Sequence, residues 1–308
     1  MQSYDLCFAW NWPYDSDFVE LLAQACHAKE LSLYLVNPTN LEPTLHSLNS
    51  NQLSFRAYFD RASDSDENFT VLARWARHMA TVRINRFRLA RRAWDKAAMH
   101  QLILYAGLKA PHTLVLPCYD EQPCIPPRDL QPLGGRFAIK PAHGGGGKGV
   151  VVAATNWEQV MLARQKYPND RYLLQAHVDP ALLDGRPAWF RVLYCAGQVF
   201  PCWWDPFTHR YLPLSEADQN RYNLHPLLYI SNRLAYLSQL ELFSTEIALT
   251  QEGEFFVVDY INDPVDLRLQ YRSTEGVPDH IVMAIARHLA NHITARCTAC
   301  SYPQLLTS

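Results

Sequence analysis

The feature that most constrains this chain is a run of four glycines, Gly144 to Gly147, with Lys140 before it and Lys148 after it. A short apolar segment precedes the run and the β-branched residues Val150 to Val152 follow it, which predicts two antiparallel strands joined by a flexible loop. Glycine lets a backbone turn sharply and bring its N–H groups close to an anion. Because the lysines add positive charge at the edges of the loop, the segment predicts a clamp for a polyphosphate.

The P-loop is the obvious alternative for a glycine-rich lysine motif, and the spacing excludes it. In the pattern G-x-x-x-x-G-K-[ST], the first glycine would fall on Ala142 and the hydroxyl residue on Gly149. A P-loop also opens a helix, whereas this loop leads into a predicted strand. An ordinary glycine-rich hairpin without a ligand is the other alternative, but it accounts for neither lysine.

The bulk composition is typical of a globular protein with two or three packed units. Of the 308 residues, 48% are hydrophobic and 19% are charged, and the net charge of −2 gives no global attraction to nucleic acid or to an anionic membrane. No apolar run approaches the roughly 18 residues of a membrane helix, and the first residues lack the pattern of a signal peptide. We therefore expect a cytoplasmic protein that binds neither nucleic acid nor a membrane. A homodimer is compatible with this composition.

The eight cysteines are scattered along the chain, and without an export signal we expect them to be reduced. Cys297 and Cys300 form a lone C-x-x-C pair. The pair lacks the two further ligands of a zinc site and the βαβ context of a redox motif. The sequence leaves its role open.

Hydrophobic periodicity predicts a small N-terminal unit of parallel strands and helices. Its strands are expected at residues 5–10, 31–36 and 53–59, and its helices at 16–29 and 41–48. The segment 68–107 is predicted to be mostly helical, with a break near Ile84 and Asn85. Further strands are expected at 113–116, 172–178, 189–196, 198–204, 243–249 and 255–261, and helices at 156–166, 225–242 and 278–293. Residues 211–223 are predicted to be polar and irregular.

A basic cluster falls within the predicted helical segment, formed by Arg83, Arg86, Arg88, Arg91 and Arg92. One interpretation is a surface for anions or nucleic acid. The other is a solvated helix face, which the whole-chain charge favours because it provides no wider positive field.

Two carboxylates, Glu246 and Asp259, each stand in an otherwise apolar predicted strand. A carboxylate there is costly unless it is paired or bound to a metal. A clamped polyphosphate needs a divalent cation, and Mg²⁺ prefers carboxylate and phosphate oxygens. The pair therefore predicts a Mg²⁺ site, with a strand-end salt bridge or a solvated sheet face as the alternative.

Taken in order, these pieces resemble the ATP-grasp superfamily over about residues 94–280. Trp94-Asp95-Lys96, followed by a helix and Gly107-Leu-Lys-Ala-Pro111, resembles the start of its ATP-binding part. The glycine loop resembles its phosphate-binding hairpin, and Leu174 to Val178 resembles its adenine-binding hinge strand. The resemblance implies an α/β (α+β) fold. A small N-terminal α/β domain (1–93) would precede an ATP-grasp domain (94–308), whose lid (about 113–178) and metal-binding subdomain (about 179–308) clasp ATP.

The resemblance also implies a role for each matching residue. Lys96, Lys140 and Lys148 would contact the ATP phosphates, covered by the backbone of Gly144, Gly145, Gly146 and Gly147. Gln175 would meet the adenine amino group, Val178 would offer backbone groups to the ring, and Asp179 or Asp184 would hold the ribose. Glu246, Asp259 and Asn262 would hold one or two Mg²⁺ ions, with Mn²⁺ as a substitute. Arg191 would face the transferred phosphoryl group, and Lys140, Lys148 and Arg191 would be the catalytic residues.

Two departures from the family pattern remain. The spacing Asp259-x-x-Asn262 is one residue longer than usual, and strict alternation would point Asn262 away from Asp259. A bulge near Tyr260 would restore the geometry; otherwise Asp263 would replace Asn262. The second departure is Gln175, which stands where a glutamate is usual.

The function implied is an ATP-dependent ligase that activates a carboxylate as an acyl phosphate and joins it to an amine or thiol. The acceptor would be a small molecule or a peptide, with Arg268 holding its carboxylate, unless Arg268 only pairs with Asp266. One alternative is a kinase of the same fold that phosphorylates a hydroxyl, and another is a regulatory ATP-binding module without turnover.

Overall fold

The computed structural model describes residues 1–301, and the side chains of residues 1–298. Three larger sheets follow one another along the chain. The first is parallel, with strand order β2-β1-β3-β4, and it is flanked by three helices. Its elements are β1 (Gln2–Trp10), α1 (Ser16–His27), β2 (Leu33–Val36), α2 (Leu41–Asn49), β3 (Leu53–Arg61), α3 (Thr70–Met79) and β4 (Val82–Ile84).

The strand β4 lies within the segment that the sequence predicted to be mostly helical, next to the break predicted near Ile84 and Asn85. Val82 and Ile84 are fully buried and Arg83 between them is not, but an alternation over three residues is too short to stand out as a strand pattern. The chain leaves β4 through Asn85 in a left-handed conformation (φ 51°). Two further helices follow, α4 (Phe87–Trp94) and α5 (Lys96–Tyr105).

The second sheet is antiparallel and carries the glycine loop. Its strand order is β5-β8-β6-β7, and α6 packs on it. The antiparallel pairing of β6 with β7 confirms the predicted hairpin. Its elements are β5 (Thr113–Leu116), β6 (Phe137–Pro141), β7 (Val151–Ala154), α6 (Trp157–Lys166) and β8 (Tyr172–Ala176).

The third sheet is antiparallel, with strand order β13-β12-β11-β14-β15. Residues 211–223, predicted to be irregular, form most of β13 and all of α7. The elements after β8 are β9 (Leu182–Leu183), β10 (Arg186–Pro187), β11 (Trp189–Cys195), β12 (Gln198–Asp205), β13 (Arg210–Pro213), α7 (Glu216–Arg221), α8 (Pro226–Ser238), β14 (Leu242–Leu249), β15 (Phe255–Asn262) and α9 (Asp279–Ser301). Three short 3₁₀ helices complete the described chain, at Pro13–Asp15, Glu67–Phe69 and Gln131–Leu133.

Alternation along β11 gives the third sheet two distinct faces. Trp189 and Leu193 belong to a core shared with α9 and the N-terminal sheet. Phe190 and Val192 belong to a second core, shared with α4, α5 and α8. The helix α9 also packs against α1, so it joins the first sheet to the third. Over the described part of the chain, no helix combines the length and apolar character needed to cross a membrane. Cys297 is buried in α9, and Cys300 lies outside the residues whose side chains are described.

A charged cluster ties the C-terminal part of α9 to the start of β14. Glu241 accepts from Arg296 at 2.5 Å and lies 3.3 Å from His292. Burial alone would raise the pKa of Glu241, but His292 and Arg296 lower it below its usual value of 4.5. An acid with a depressed pKa stabilises the fold above its unfolded-state pKa, and the contribution is lost as the pH falls through the folded-state pKa.

We therefore expect Glu241→Gln to lower the free energy of unfolding by about 1 kcal/mol at pH 7. The difference from the wild type should shrink as the pH falls below the usual glutamate pKa of 4.5. Urea denaturation at several pH values measures the loss of stability at pH 7 and its decrease at lower pH. The exposed Glu20→Gln serves as a control. A deficit that stayed constant down to pH 3 would contradict the ion-pair explanation.

Candidate active site

Three charged side chains form a row across neighbouring strands of the third sheet. Arg191 on β11 stands opposite Glu246 on β14, and Glu246 stands opposite Asp259 on β15. The guanidinium of Arg191 donates to Glu246 at 2.8 Å, and the two side chains are only 14% and 15% exposed. Trp189 donates to the second Glu246 oxygen at 3.3 Å. The row is therefore a positioned and largely dehydrated charge cluster.

Lys140 extends from the second sheet to this row. It lies on β6, and its ammonium donates to Gln175 Oε1 at 2.6 Å and to the carbonyl of Val258, next to Asp259, at 3.4 Å. Gln175 is 2% exposed, and its amide nitrogen donates to the Tyr260 hydroxyl at 3.1 Å. The glycine-flanked lysine and the acidic strand thus face each other.

The glycine loop lies next to the beginning of α5. The backbone N–H of Lys96 donates to Ala142 O at 2.8 Å, and its ammonium donates to Gly144 O at 2.5 Å. Gly144, Gly146 and Gly147 all have positive φ, which favours glycine there. Lys148 is exposed on the loop. Lys96 and Lys140 are thereby brought to one cleft from different elements.

The charges in the cleft shift one another's ionisation. Burial alone would raise the pKa of Asp259, but Lys96, Lys140 and Arg191 hold it below its usual value. Burial raises the pKa of Glu246 despite Arg191, and the charge of Asp259 adds to the rise. Burial likewise lowers the pKa of the Lys140 ammonium, although both carboxylates oppose the change. Perturbed groups that share a cleft are typical of functional sites.

A register shift between β14 and β15 brings Asn262 back toward Asp259. Ser244 pairs with Asn262 and Glu246 pairs with Asp259, so two steps on β14 oppose three on β15. This irregularity spans Tyr260, where one of the two alternatives left open by the sequence placed a bulge. The Asn262 side chain now helps to lower the pKa of Asp259 by hydrogen bonding. The extra residue in the Asp259-x-x-Asn262 spacing is therefore absorbed by the strand.

Asp263 has different partners. Its carboxylate accepts from Asn85 at 2.5 Å and from Trp94 at 3.2 Å, and burial raises its pKa to about 7. Both of its oxygens are engaged by side chains of the N-terminal half. Of the two candidates for a third metal ligand, Asp263 is therefore the one whose side chain already has other partners.

The residues predicted to bind adenine and ribose do not form a compact cluster like the charged side chains of the cleft. Val178 is buried in the core that Trp189 shares, and Asp179 is exposed beside His177 and Arg136. Asp184 pairs with Arg221 and accepts from Tyr222, both at 2.7 Å. Because Tyr222 packs on the α8 side of the sheet, Asp184 is the less suitable of the two ribose candidates.

Arg268 lies in the segment after β15 and is already neutralised. It forms a bidentate pair with Asp266, the shorter contact being 2.6 Å, and approaches Glu275 at 3.4 Å. Its guanidinium also lies over the ring of Tyr14, 5.5 Å from the centroid. These contacts support the alternative in which Arg268 pairs with Asp266 within the chain.

No family model matches the chain, and no curated protein does. Solved structures match it over nearly its whole length. A RimK domain ATP-grasp protein from Sphaerobacter thermophilus is 17% identical with a TM-score of 0.61, covering 94% of this chain and 99% of that one. D-alanine–D-alanine ligase from Bacillus anthracis, in complex with ATP, is 8% identical with a TM-score of 0.64, covering 96% and 98%.

The chain has the ATP-grasp fold. A third similar structure is the ATP-grasp ligase PsnB in complex with precursor peptide PsnA2 and AMPPNP, 16% identical with a TM-score of 0.59, covering 96% of this chain and 99% of that chain. At these identities the similarity shows the fold, while the roles of individual residues depend on their own geometry.

The acidic end of the cleft suits Mg²⁺ within this ATP-grasp fold. Among the described side chains, no three His, Cys, Asp or Glu residues form a group that could hold a metal. Glu246, Asp259 and the amide oxygen of Asn262 instead offer a small set of hard oxygen donors. Such a set fits an ion that takes its remaining ligands from phosphate and water.

The cleft also contains residues that the sequence did not predict as part of the site. Trp189 and Ser244 each lie two positions from a charged residue of the row and contact Arg191 or Glu246. Period-two alternation from Arg191 and Glu246 would have pointed to both. Tyr260 links Gln175 to His100 on α5, 2.8 Å away. The sequence carries no signal for that contact, because residues 100, 175 and 260 are far apart along the chain.

Proposed function

We propose that this chain is an ATP-dependent ligase that activates a substrate carboxylate as an acyl phosphate and joins it to an amine or thiol, releasing ADP and phosphate. The observation that carries the proposal is the cleft in which Lys96, Lys140 and Arg191 surround the carboxylates of Glu246 and Asp259. Phosphoryl transfer depends mainly on such positioning and neutralisation of charge.

Within this proposal the cations act on the phosphate chain. Lys96 and Lys140 lie beside the glycine loop, so they are placed to bind phosphate oxygens while the loop covers them. Lys148, exposed on the loop, reaches the β- or γ-phosphate. Arg191 is fixed by Glu246 and Ser244, which orients its guanidinium toward the group being transferred. Glu246, Asp259 and Asn262 would hold Mg²⁺, which when bound would supply further charge neutralisation.

The nucleotide base would lie between the second sheet, which carries the glycine loop, and the third sheet. Val178 offers backbone groups at the end of the hinge, and Asp179 is the preferred ribose ligand. Gln175 Oε1 already accepts from Lys140, so contact with the adenine amino group requires sharing that oxygen. Arg268 stays a candidate for the acceptor carboxylate only if the carboxylate displaces Asp266 or Glu275.

We propose a peptide as the acceptor class to examine first, because PsnB, a structural neighbour of this chain, is a ligase seen with a precursor peptide. The deciding experiment is a phosphate-release screen across acids, amines, thiols and peptides in the presence of Mg-ATP. Release that requires both a carboxylate and a nucleophile supports the ligase. Phosphate retained on a hydroxyl product would support the kinase, and nucleotide binding without turnover across the panel would support the regulatory module.

Removing the metal ligand gives a second test. We expect Asp259→Asn to lower turnover at saturating ATP by roughly 10²–10³-fold, because a neutral amide binds Mg²⁺ weakly and removes one of the two carboxylates that face the three nearby cations. Isothermal titration with ADP, in the presence and absence of Mg²⁺, should show that the ion strengthens ADP binding in the wild type but not in the variant. The exposed Asp120→Asn is the matched control, and an equal effect of both variants would contradict the assignment of the metal to β15.

A further inference from the structure

A large cavity lies outside the proposed active site and has a strongly one-sided charge. It has a volume of about 640 Å³ and lies between α3, the end of β4 and α4. Its basic residues are all arginines: Arg74 and Arg77 from α3, Arg83 and Arg86 from β4 and the turn after it, and Arg88, Arg91 and Arg92 from α4. We call these seven residues the arginine basin.

The arginines of the basin form a cluster of positive charge without nearby carboxylates. Within residues 1–298, no carboxylate oxygen lies within 4.0 Å of any of the seven guanidinium groups. Exposed arginines outside the basin often do pair: Arg136, Arg171, Arg221 and Arg272 each meet an aspartate. Burial, with the charges of Arg86 and Arg77, lowers the pKa of Arg83. The repulsion inside the basin is therefore not relieved by the fold itself.

We propose that the arginine basin is a docking site for a short acidic segment of a polypeptide. Six of the seven arginines are exposed, which suits a ligand lying across an open surface better than an enclosed small molecule. Arginine forks match carboxylates in a bidentate manner. An extended peptide points successive side chains in opposite directions, so it presents carboxylates to the arginines of α3 and α4 together.

The charge of the remaining surface argues for a short acidic peptide over nucleic acid. The net charge of −2 includes the seven charges of the basin, so the rest of the chain carries −9. A long polyanion would extend beyond the basin over a chain whose remaining charge is negative overall. A segment a few residues long stays near the arginines, since screening confines their attraction to roughly 8 Å at physiological salt.

The basin also adjoins the proposed active site. Asn85 lines it and donates to Asp263, the residue after Asn262. The Asn85 side chain also accepts from the backbone N–H groups of Glu241 and Leu242 at the start of β14. A peptide held in the basin is thus close to the strands that carry the proposed metal ligands, as suits substrate docking.

The test is fluorescence anisotropy with a labelled hexaglutamate peptide, using hexaglutamine with the same label as the uncharged control. We expect the wild type to bind hexaglutamate and not hexaglutamine. The variant R77Q/R88Q/R91Q should bind roughly tenfold more weakly. The matched variant R128Q/R210Q/R287Q removes the same charge from exposed arginines outside the basin and should bind like the wild type, and thermal melts establish that both variants fold.

Two results would overturn the proposal. Equal weakening in both triple variants, or no binding of hexaglutamate, would show that the basin is not the docking site. Tighter binding of a single-stranded DNA of equal charge, lost in R77Q/R88Q/R91Q, would replace the acidic peptide with nucleic acid. Because the binding is measured without nucleotide, its failure is distinguishable from a failure of the ligase proposal.

Discussion

Replacing Lys140 with alanine is expected to lower ATP-dependent turnover by a factor on the order of 10³. Its ammonium lies between the second and third sheets, where it contacts Gln175 and the Val258 carbonyl and interacts with Glu246 and Asp259. No other side chain of β6 can take over this position, because Ile139 and Pro141 are buried and point to the other face. Phosphate release at saturating acceptor and a titration with Mg-ATP measure the loss.

The control is Lys29→Ala, which removes an exposed lysine from the N-terminal unit and should leave turnover unchanged. The fold should tolerate Lys140→Ala, because burial of the ammonium already disfavours its charged form and Gln175 keeps its bond to Tyr260. A thermal melt separates loss of chemistry from loss of structure. If the stable variant turned over at the wild-type rate, Lys140 would not belong to the phosphate site.

Replacing Asp15 with alanine is expected to lower the free energy of unfolding by roughly 3–5 kcal/mol. Asp15 and Arg61 form a bidentate pair with distances of 2.9 and 2.6 Å, and their side chains are 2% and 1% exposed. Removing one partner leaves the other charge buried without compensation. Arg61 is the last residue of β3 and also lies over the Phe18 ring, so it cannot turn toward water without disturbing the core.

Urea denaturation measures the loss, and the exposed Glu20→Ala on α1 serves as the matched acidic control. The double variant Asp15→Ala, Arg61→Met should be more stable than Asp15→Ala alone, because it removes the unpaired charge as well. A single variant as stable as Glu20→Ala would contradict the buried-pair explanation. A double variant less stable than Asp15→Ala would show that Arg61 has a larger role of its own.

The residues of the cleft differ in how far the sequence could predict them. Lys140 and Lys148 flank a glycine run, which is a local pattern with a direct meaning for the backbone. Glu246 and Asp259 are charges in apolar strands, where alternation marks them as unusual. Tyr260 carries no such mark, because a buried aromatic residue looks the same in a core as in a site.

The spacing of Asp259 and Asn262 shows a limit of strict alternation. Alternation over four residues places the two side chains on opposite faces, and only a bulge changes this. The sequence allowed for a bulge near Tyr260 but did not favour it over the use of Asp263. Pairing with Ser244 and Glu246 on β14 decided the register, and the contacts of Asp263 with Asn85 and Trp94 direct it elsewhere.

The arginine cluster was interpreted from the sequence mainly as a solvated helix face. That interpretation used the charge of the whole chain and counted only residues 83–92. The structure adds Arg74 and Arg77 from α3 and places all seven around one cavity. The short strand β4, which the sequence did not reveal, separates α3 from α4 along the chain and fixes their arrangement.

By itself, the sequence determined the local elements of this protein: the glycine hairpin with its lysines, the alternating apolar strands and the two carboxylates within them. These follow from backbone freedom and side-chain period, which act over a few neighbouring residues. Only the tertiary structure decided which strands pair, where β15 bulges, and that Arg191, Lys140 and Asp259 share one cleft while seven arginines share another. Those outcomes depend on packing between different elements, which for Lys140 and Asp259 lie more than a hundred residues apart, and no local pattern encodes such contacts.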